Sequence, residues 1–171
     1  MIKNIELDFM APQHAASTGK TVFLNASQHT DGKTVEMATE LLEGKDFEQV
    51  NLVDYQIPLL GQGHRGDYDQ VFEKLAGAQT LVIGTPVYWL NISAHLKNFL
   101  EHTVRSEALA GADLYAIVQG SRPNQDIPVV ATYGGLTKLT DRLKLNFVGI
   151  ASNEDELADL RVKMTTPAQV Q

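Results

Sequence analysis

The chain alternates between short, uninterrupted apolar runs and longer segments in which apolar residues recur every three to four positions. Uninterrupted runs are typical of strands covered on both faces of a sheet, and the longer spacing is typical of amphipathic helices. The third run should end near Thr85, because Pro86 cannot donate a hydrogen bond to a sheet. The predicted strands are residues 21–25, 50–53, 81–85, 114–118 and 147–150.

Helical periodicity fills the segments between these strands. Asp67 is placed to cap the second helix, and Gly134 and Gly135 predict a break in the fourth. Strands that alternate with helices predict right-handed crossovers and a parallel sheet with helices on both faces, which is an α/β fold. The predicted helices are residues 32–44, 67–75, 92–103, 127–145 and 155–161.

The two ends of the chain lie outside this alternation. Residues 1–19 form an N-terminal extension that begins with a predicted short strand, and residues 165–171 form a polar tail. We expect residues 20–164 to form the folded domain. The extension has no apolar run of signal-peptide length, which favours a cytoplasmic protein. No segment approaches the roughly 20 apolar residues of a membrane span.

Composition narrows the classes of function. The chain has 171 residues, 43% of them hydrophobic, which suits one domain with a sizeable core. Its net charge of -7 disfavours nucleic acid or an anionic membrane as the main partner. It has no cysteine, which excludes disulfides, a thiolate nucleophile and cysteine-ligated zinc or iron–sulfur clusters.

A Pro-aromatic loop follows the third strand and leads directly into a helix. It contains Pro86, Tyr88 and Trp89. Ligands of open parallel sheets bind beyond the carboxyl ends of the strands, so this loop is a candidate wall for a planar ring. The alternative is that Tyr88 and Trp89 are ordinary core aromatics.

The loop after the first strand, Ser27–Thr34, is rich in hydroxyl groups and opens a helix. Backbone N–H groups and the positive end of the helix dipole attract phosphate there. One alternative is simple capping of the helix by Thr30 or Asp31. Another takes Gly32 to Thr34 as the end of a nucleoside-triphosphate loop, which ranks lower because Ser27 stands where that loop needs glycine.

A third loop, residues 119–124, follows the fourth strand, and its small residues allow a ligand close approach, although a plain turn is equally compatible. The sequence offers no convincing catalytic machinery of its own. Its histidines lack metal-ligand spacing with carboxylates, and no serine lies in a nucleophile-elbow pattern. His95 and His102 are expected on a helix surface or at a subunit contact.

These loops resemble those of the flavodoxin-like NAD(P)H-dependent FMN reductase and quinone reductase families. In the first loop Ser27, Gly32 and Thr34 match, whereas Ala26 and His29 stand where the family usually has glycine and arginine. The resemblance implies a flavodoxin-like three-layer sandwich whose five-stranded parallel sheet has the order 2-1-3-4-5. In the aromatic loop and its helix the match is carried by Pro86, Val87, Tyr88, Trp89, Ser93, Ala94, Leu96 and Lys97.

The resemblance implies FMN as cofactor and NAD(P)H as co-substrate, with a quinone, azo compound or free flavin as the small-molecule electron acceptor. It also implies a homodimer or homotetramer, with the Ile57–Gly66 loop and the Trp89 region at the interface. Backbone N–H groups of residues 87–91 are candidate partners of the flavin ring. The predicted cofactor-binding residues are Ser27, His29, Thr30, Gly32, Lys33, Thr34, Pro86, Val87, Tyr88, Trp89, Asn91, Gly120 and Ser121.

Two other hypotheses stay open. One is a flavodoxin-like electron carrier, or FMN-binding protein, without NAD(P)H reductase activity. The other is a degenerate relative that binds no flavin, which the residues at positions 26 and 29 motivate. A Tyr-Gly-Gly at residues 133–135 resembles a segment that some relatives place near the flavin, and it is a weaker candidate for the site.

Overall fold

The computed structural model describes residues 6–14, 19–123 and 126–165. Within these ranges five strands alternate with five α-helices, and one 3-10 helix spans Leu52–Asp54. The strands are β1 (Thr21–Asn25), β2 (Glu48–Asn51), β3 (Thr80–Pro86), β4 (Asp113–Gln119) and β5 (Asn146–Ala151). The helices are α1 (Lys33–Leu41), α2 (Tyr68–Leu75), α3 (Ala94–His102), α4 (Ile127–Leu143) and α5 (Glu154–Thr165).

The five strands form one parallel sheet in the order β2-β1-β3-β4-β5, which confirms the predicted topology. Apolar side chains of α2, α3 and α4 form a buried cluster with one face of the sheet, and those of α1 and α5 form a second cluster with the other face. This is the expected three-layer sandwich. None of the described helices is long and apolar enough to cross a membrane.

Two strands differ from their predicted ranges at the ends. β3 continues through Pro86, because the next amide, that of Val87, donates to the Gln119 carbonyl at 2.8 Å and keeps the two strands together. β2 begins at Glu48 and ends at Asn51 rather than spanning residues 50–53. Its predicted last residues instead turn into the 3-10 helix, which the amide of Tyr55 closes by donating to the Leu52 carbonyl at 3.1 Å.

The predicted break in α4 is wrong, because the helix runs unbroken through Gly134 and Gly135. A Cβ at Gly135 would lie 3.4 Å from the Leu100 side chain, so this glycine lets α3 and α4 pack closely instead of interrupting α4. Asp67 is the N-cap residue of α2, but its side chain makes no capping hydrogen bond to the helix; its carboxylate instead accepts the Gln56 amide at 2.8 Å. α1 ends earlier than predicted, and α5 extends further in both directions.

The described part of the extension, residues 6–14, packs against the amino end of the sheet. Its residues 6–9 do not form the predicted strand, and residues 1–5 lie outside the described ranges. The buried carboxylate of Asp113 accepts hydrogen bonds from the amides of Gln13 (2.9 Å) and His14 (2.8 Å) and from the Asn146 side chain (2.7 Å). The extension is therefore fixed at the opposite end of the sheet from the three candidate loops.

Phe9 of the extension contacts the rings of Tyr133 and Phe147 edge-on, and Tyr133 stacks on Phe147. The Tyr133 hydroxyl accepts the Asp8 amide at 3.1 Å. Tyr133 therefore takes part in docking the extension at the amino end of the sheet.

Candidate functional site

The three candidate loops lie together at the carboxyl edge of the sheet, because they follow the adjacent parallel strands β1, β3 and β4. The first loop meets β3 where Thr34 contacts Gly84. The second and third loops are joined by the hydrogen bond from Val87 to the Gln119 carbonyl. Lys33, Gly120 and Ser121 also line one cavity of about 370 Å³. The structure thus places the three predicted loops at one edge of the sheet.

Asn25, the last residue of β1, shapes the first loop. Its buried side chain donates to the His29 carbonyl and to the Asn51 side chain, both at 3.0 Å, and accepts the Ser27 amide at 3.1 Å. Gln49 donates to the Thr30 carbonyl at 2.9 Å and to the Asn51 side chain at 2.8 Å. These bonds hold the loop backbone at Ser27, His29 and Thr30 in the absence of a ligand.

Sequence reasoning missed Asn25, Asn51 and Gln49 as positioning residues. The available signal was an asparagine at the end of each of the first two strands. Asn25 and Asn51 are direct neighbours in the parallel register, so their side chains meet on one face of the sheet.

The start of α1 has unsatisfied donors. Gly32 is its N-cap and no side chain caps it, so the capping role considered for Thr30 or Asp31 is wrong. The first intrahelical bond runs from Glu36 to the Gly32 carbonyl at 3.0 Å, which leaves the amides of residues 33–35 without an intrahelical partner. The Thr34 hydroxyl is buried, with the residue 1% exposed, and has no hydrogen-bond partner among the described residues. Such a helix start is suited to an anion.

The charges near this helix start are modest. Lys33 pairs with Glu36 at 3.1 Å, and this hydrogen bond and the charge of Glu36 raise the pKa of Lys33. His29 is exposed, and its Cβ would lie 3.0 Å from a Cβ at Gly32. Ser27 accepts the His29 amide at 3.1 Å and so helps to shape the loop itself.

Ala26 fits its position without strain, although the resembling reductases usually have glycine there. Its backbone is outside the left-handed region that favours glycine. Its amide donates to the Gly84 carbonyl at 2.8 Å, and its side chain is fully buried. The alanine is therefore compatible with the same loop shape.

The second loop contains a tight two-residue turn. Tyr88 and Asn91 exchange backbone hydrogen bonds, both 3.0 Å, while Trp89 and Leu90 adopt positive φ angles of 51° and 60°. Turns of this kind normally carry Asn or Gly, and a left-handed conformation costs other residues roughly 1–2 kcal/mol each. Trp89 is 99% exposed and Tyr88 40% exposed, so the alternative that they are core aromatics is wrong.

Two backbone amides of this turn are available to a ligand. Among residues 87–91, the amides of Val87, Tyr88 and Asn91 already donate to backbone carbonyls. Those of Trp89 and Leu90 have no hydrogen-bond partner within the described ranges, which narrows the predicted donors to these two. The carbonyl oxygen of the Asn91 side chain accepts the Ile92 amide at 2.8 Å.

Thr85 and Ser93 fix the two ends of the second loop. The buried Thr85 hydroxyl accepts the Ser93 amide and donates to the Pro86 carbonyl, both at 3.0 Å. The Ser93 hydroxyl accepts the Leu96 amide at 3.1 Å and so caps α3. The strained turn is thus held between two buried hydroxyl groups, and neither residue was among the predicted site residues.

The third loop begins at Gly120, whose φ of 92° is in the region that favours glycine. A Cβ there would lie 4.0 Å from Val87, so the glycine stands next to the second loop. Asn124, at the end of this predicted loop, lies outside the described residues. His95 is exposed on α3 as expected, but His102 is buried, with its Nε2 2.7 Å from the Pro58 carbonyl oxygen.

Comparison with known proteins identifies similar sequences. A profile of the NADPH-dependent FMN reductase family matches residues 20–144. The protein YwqN of Bacillus subtilis (strain 168), provisionally named as an NAD(P)H-dependent FMN-containing oxidoreductase, is 29% identical over 91 residues, 48% of this chain and 50% of its own. An FMN-dependent NADH:quinone oxidoreductase of Jannaschia sp. (strain CCS1) is 34% identical over 74 residues, 43% of this chain and 36% of its own. The matches therefore span half or less of these relatives.

Solved structures share the fold. The apo form of the NADH:FMN oxidoreductase EMOB aligns with a TM-score of 0.63 at 19% identity, covering 86% of this chain and 87% of that one. An FMN-dependent NADH-azoreductase from Bacillus anthracis, solved with FMN, aligns with a TM-score of 0.60 at 16% identity, covering 85% and 96%. At these identities the similarity establishes the fold alone.

The strain in the turn is testable by substitution with glycine. We expect Leu90→Gly to raise the free energy of unfolding by about 1 kcal/mol, because glycine adopts a positive φ without the steric cost. This corresponds to a melting temperature about 2–4 °C higher by calorimetry. Lys144→Gly is the matched control, since Lys144 has a φ of 52° at the end of α4, far from the loops.

Both variants should be stabilised to a similar degree. If Leu90→Gly lowers the free energy of unfolding while Lys144→Gly raises it, the inference of backbone strain at Leu90 is contradicted. The Leu90 side chain would then be what holds the turn together.

Proposed function

Because the chain belongs to the NADPH-dependent FMN reductase family, we propose that it binds FMN at the carboxyl edge of its sheet and transfers hydride from NAD(P)H through the flavin to a small-molecule acceptor. The observation that carries this proposal is the Trp89–Leu90 turn. Its two residues adopt left-handed conformations, its two amides are unpaired, and its indole faces solvent. Backbone strain of this kind collects at ligand sites, where binding offsets it.

The phosphate of FMN is assigned to the start of α1. The amides of Lys33, Thr34 and Val35 have no intrahelical partner, and the Thr34 hydroxyl is buried without a partner among the described residues. A buried hydroxyl left unpaired destabilises the unliganded protein, and a phosphate oxygen would remove that penalty. Lys33 supplies positive charge nearby, and His29 stands where the resembling loop usually has arginine.

The flavin ring is assigned to the second and third loops. The free amides of Trp89 and Leu90 would donate to the polar edge of the ring and favour negative charge on it. Gly120 leaves the third loop open beside Val87. When bound, FMN supplies the hydride chemistry, while these residues bind it, orient it and tune its charge. Such a division of roles between cofactor and protein agrees with the sequence, in which we found no convincing catalytic residues.

We further propose a quinone, an azo compound or free flavin as the electron acceptor, and a homodimer or homotetramer in the cytoplasm. Exposed apolar residues in the two loops that follow β2 and β3 support self-association. Leu59 and Leu60 in the long loop before α2 are each 60% exposed, and Trp89 is almost fully exposed. Apolar side chains that gather on one surface are typical of contact surfaces.

The first test is an absorbance spectrum with stoichiometric FMN, recorded before and after anaerobic addition of NADPH or NADH. We expect flavin bands that shift on binding and bleach on addition of a nicotinamide. Bound flavin that ignores both nicotinamides would favour the electron carrier without reductase activity. Absence of any binding would contradict the cofactor assignment and favour the degenerate relative.

Thr34→Val tests the phosphate site. The variant keeps the shape and removes the unpaired hydroxyl, so the unliganded protein should unfold at the same or a higher temperature. FMN affinity, measured by fluorescence titration, should fall about tenfold, as expected for one lost hydrogen bond to a charged group.

Thr80→Val is the matched control for Thr34→Val. Thr80 is also buried and has no hydrogen-bond partner among the described residues, but it lies at the amino end of β3. Its replacement should leave FMN affinity unchanged. Equal affinities for FMN in wild type and Thr34→Val would contradict the assignment of the phosphate.

The proposed assembly is tested by light scattering at working concentration. The wild type should have the mass of a dimer or larger, and Leu60→Asp should shift it toward the monomer, because a charge at an apolar interface is costly. Val162→Asp is the control, since Val162 is 64% exposed on α5, on the other face of the sheet. A monomeric wild type would overturn the proposal.

A further inference from the structure

A surface groove of about 460 Å³ lies between α3 and α4, beside the close contact at Gly135. It begins at Asn91 and Ile92, directly after the Trp89–Leu90 turn, and ends at Thr103 and Arg142. α3 has nine residues, so the helical wall of the groove is about 14 Å long. This α3–α4 groove therefore starts beside the proposed ring site and leads away from it along the helices.

The groove carries positive charge in an acidic protein. Lys97, Lys138 and Arg142 line it together with one carboxylate, that of Glu101, which pairs with Lys97 at 3.2 Å. Arg142 donates to the Thr103 carbonyl at 2.6 Å and has no carboxylate partner among the described residues. The chain as a whole has a net charge of -7, so this local excess of cations is opposite in sign to the rest of the molecule.

The neighbouring carboxylate does not neutralise the groove. Asp141 is shared between Lys138 at 3.8 Å and Arg105 at 3.5 Å. The Lys138 and Arg105 side chains are 63% and 75% exposed, so neither pair is tight or shielded from water. The cations named on this surface outnumber the carboxylates, and such a local excess of positive charge attracts an anion.

The rest of the lining is apolar. Ile92, Leu100 and Leu139 line the groove, and Gly135 adds no side chain to it. An apolar floor with cations at its rim suits a ligand that has both a planar aromatic base and phosphate groups. A nucleotide has this combination.

We propose that the α3–α4 groove binds the phosphate-bearing part of the nicotinamide dinucleotide, with Lys138 and Arg142 as its phosphate contacts. This inference rests on the proposed function, because a nicotinamide that reduces flavin must reach the ring beside the Trp89–Leu90 turn. The groove opens two residues after Trp89, so a dinucleotide that extends from the ring enters it directly. Lys138 and Arg142 then lie farther along the groove, where the phosphate groups of the bound dinucleotide would be.

Lys138→Gln in the FMN-loaded protein tests the assignment. The KM for NADPH and NADH should rise about fivefold with little change in kcat, as expected for loss of one exposed charge pair. Lys45→Gln removes the same charge on the other side of the sheet, just after α1, and should change neither constant. Added salt should raise the wild-type KM more than that of the Lys138→Gln variant.

A binding measurement separates the groove from the chemistry. ADP, which carries the adenosine and diphosphate that NADH and NADPH share, should bind the FMN-loaded wild type in calorimetry and bind Lys138→Gln more weakly. A wild type that NADPH bleaches normally, with no ADP binding and an unchanged KM in Lys138→Gln, would overturn the groove assignment and leave the reductase intact. A wild type that neither nicotinamide bleaches would instead contradict the reductase proposal.

Discussion

The close approach of β3 to the first turn of α1 at Gly84 is the constraint on which the candidate site depends. A Cβ at Gly84 would lie 2.7 Å from the Thr34 methyl group and 2.9 Å from the Phe23 ring, so no larger residue fits without displacing the helix. The Gly84 carbonyl also accepts the Ala26 amide. The parallel strands place the helix start and the aromatic turn at the same edge of the sheet, and Gly84 lets the helix start pack directly against β3 there.

Buried polar side chains fix the two ends of the sheet. At the carboxyl edge, Asn25 and Asn51 tie the first loop to β2. At the amino edge, Asp113 and Asn146 hold the extension against β4 and β5. Both networks satisfy most of their donors and acceptors, which is the condition under which buried polar groups specify a single arrangement. The apolar layers between the sheet and the helices provide the buried area, and these polar networks at the two edges hold the first loop and the extension in position.

The sheet was predictable because buried parallel strands appear as uninterrupted apolar runs, as at residues 21–25 and 114–118, and because their alternation with helices restricts the topology. The continuity of α4 was not, since helix propensity penalises Gly134 and Gly135 while the packing of α3 against α4 favours a small residue at position 135. Tertiary packing overrides a local preference there.

The chemistry of the site was predictable only in outline. The types and order of residues in the first two loops indicated a phosphate and a planar ring. Which amides stay free depends on the hydrogen bonds that Tyr88 and Asn91 exchange, and a sequence does not reveal these. The role of Asn25 depends on its register with Asn51, so an asparagine that looks like an ordinary turn residue sets the shape of the first loop.

The exposure of Trp89 has a spectroscopic consequence. The chain contains a single tryptophan, and that indole stands in water at the tip of the strained turn. The intrinsic tryptophan fluorescence of the protein therefore comes from this one position, with no contribution from the core. The emission wavelength and intensity of this indole therefore report whether the turn is exposed to solvent or covered. Trp89 is thus an intrinsic fluorescent probe at the proposed site.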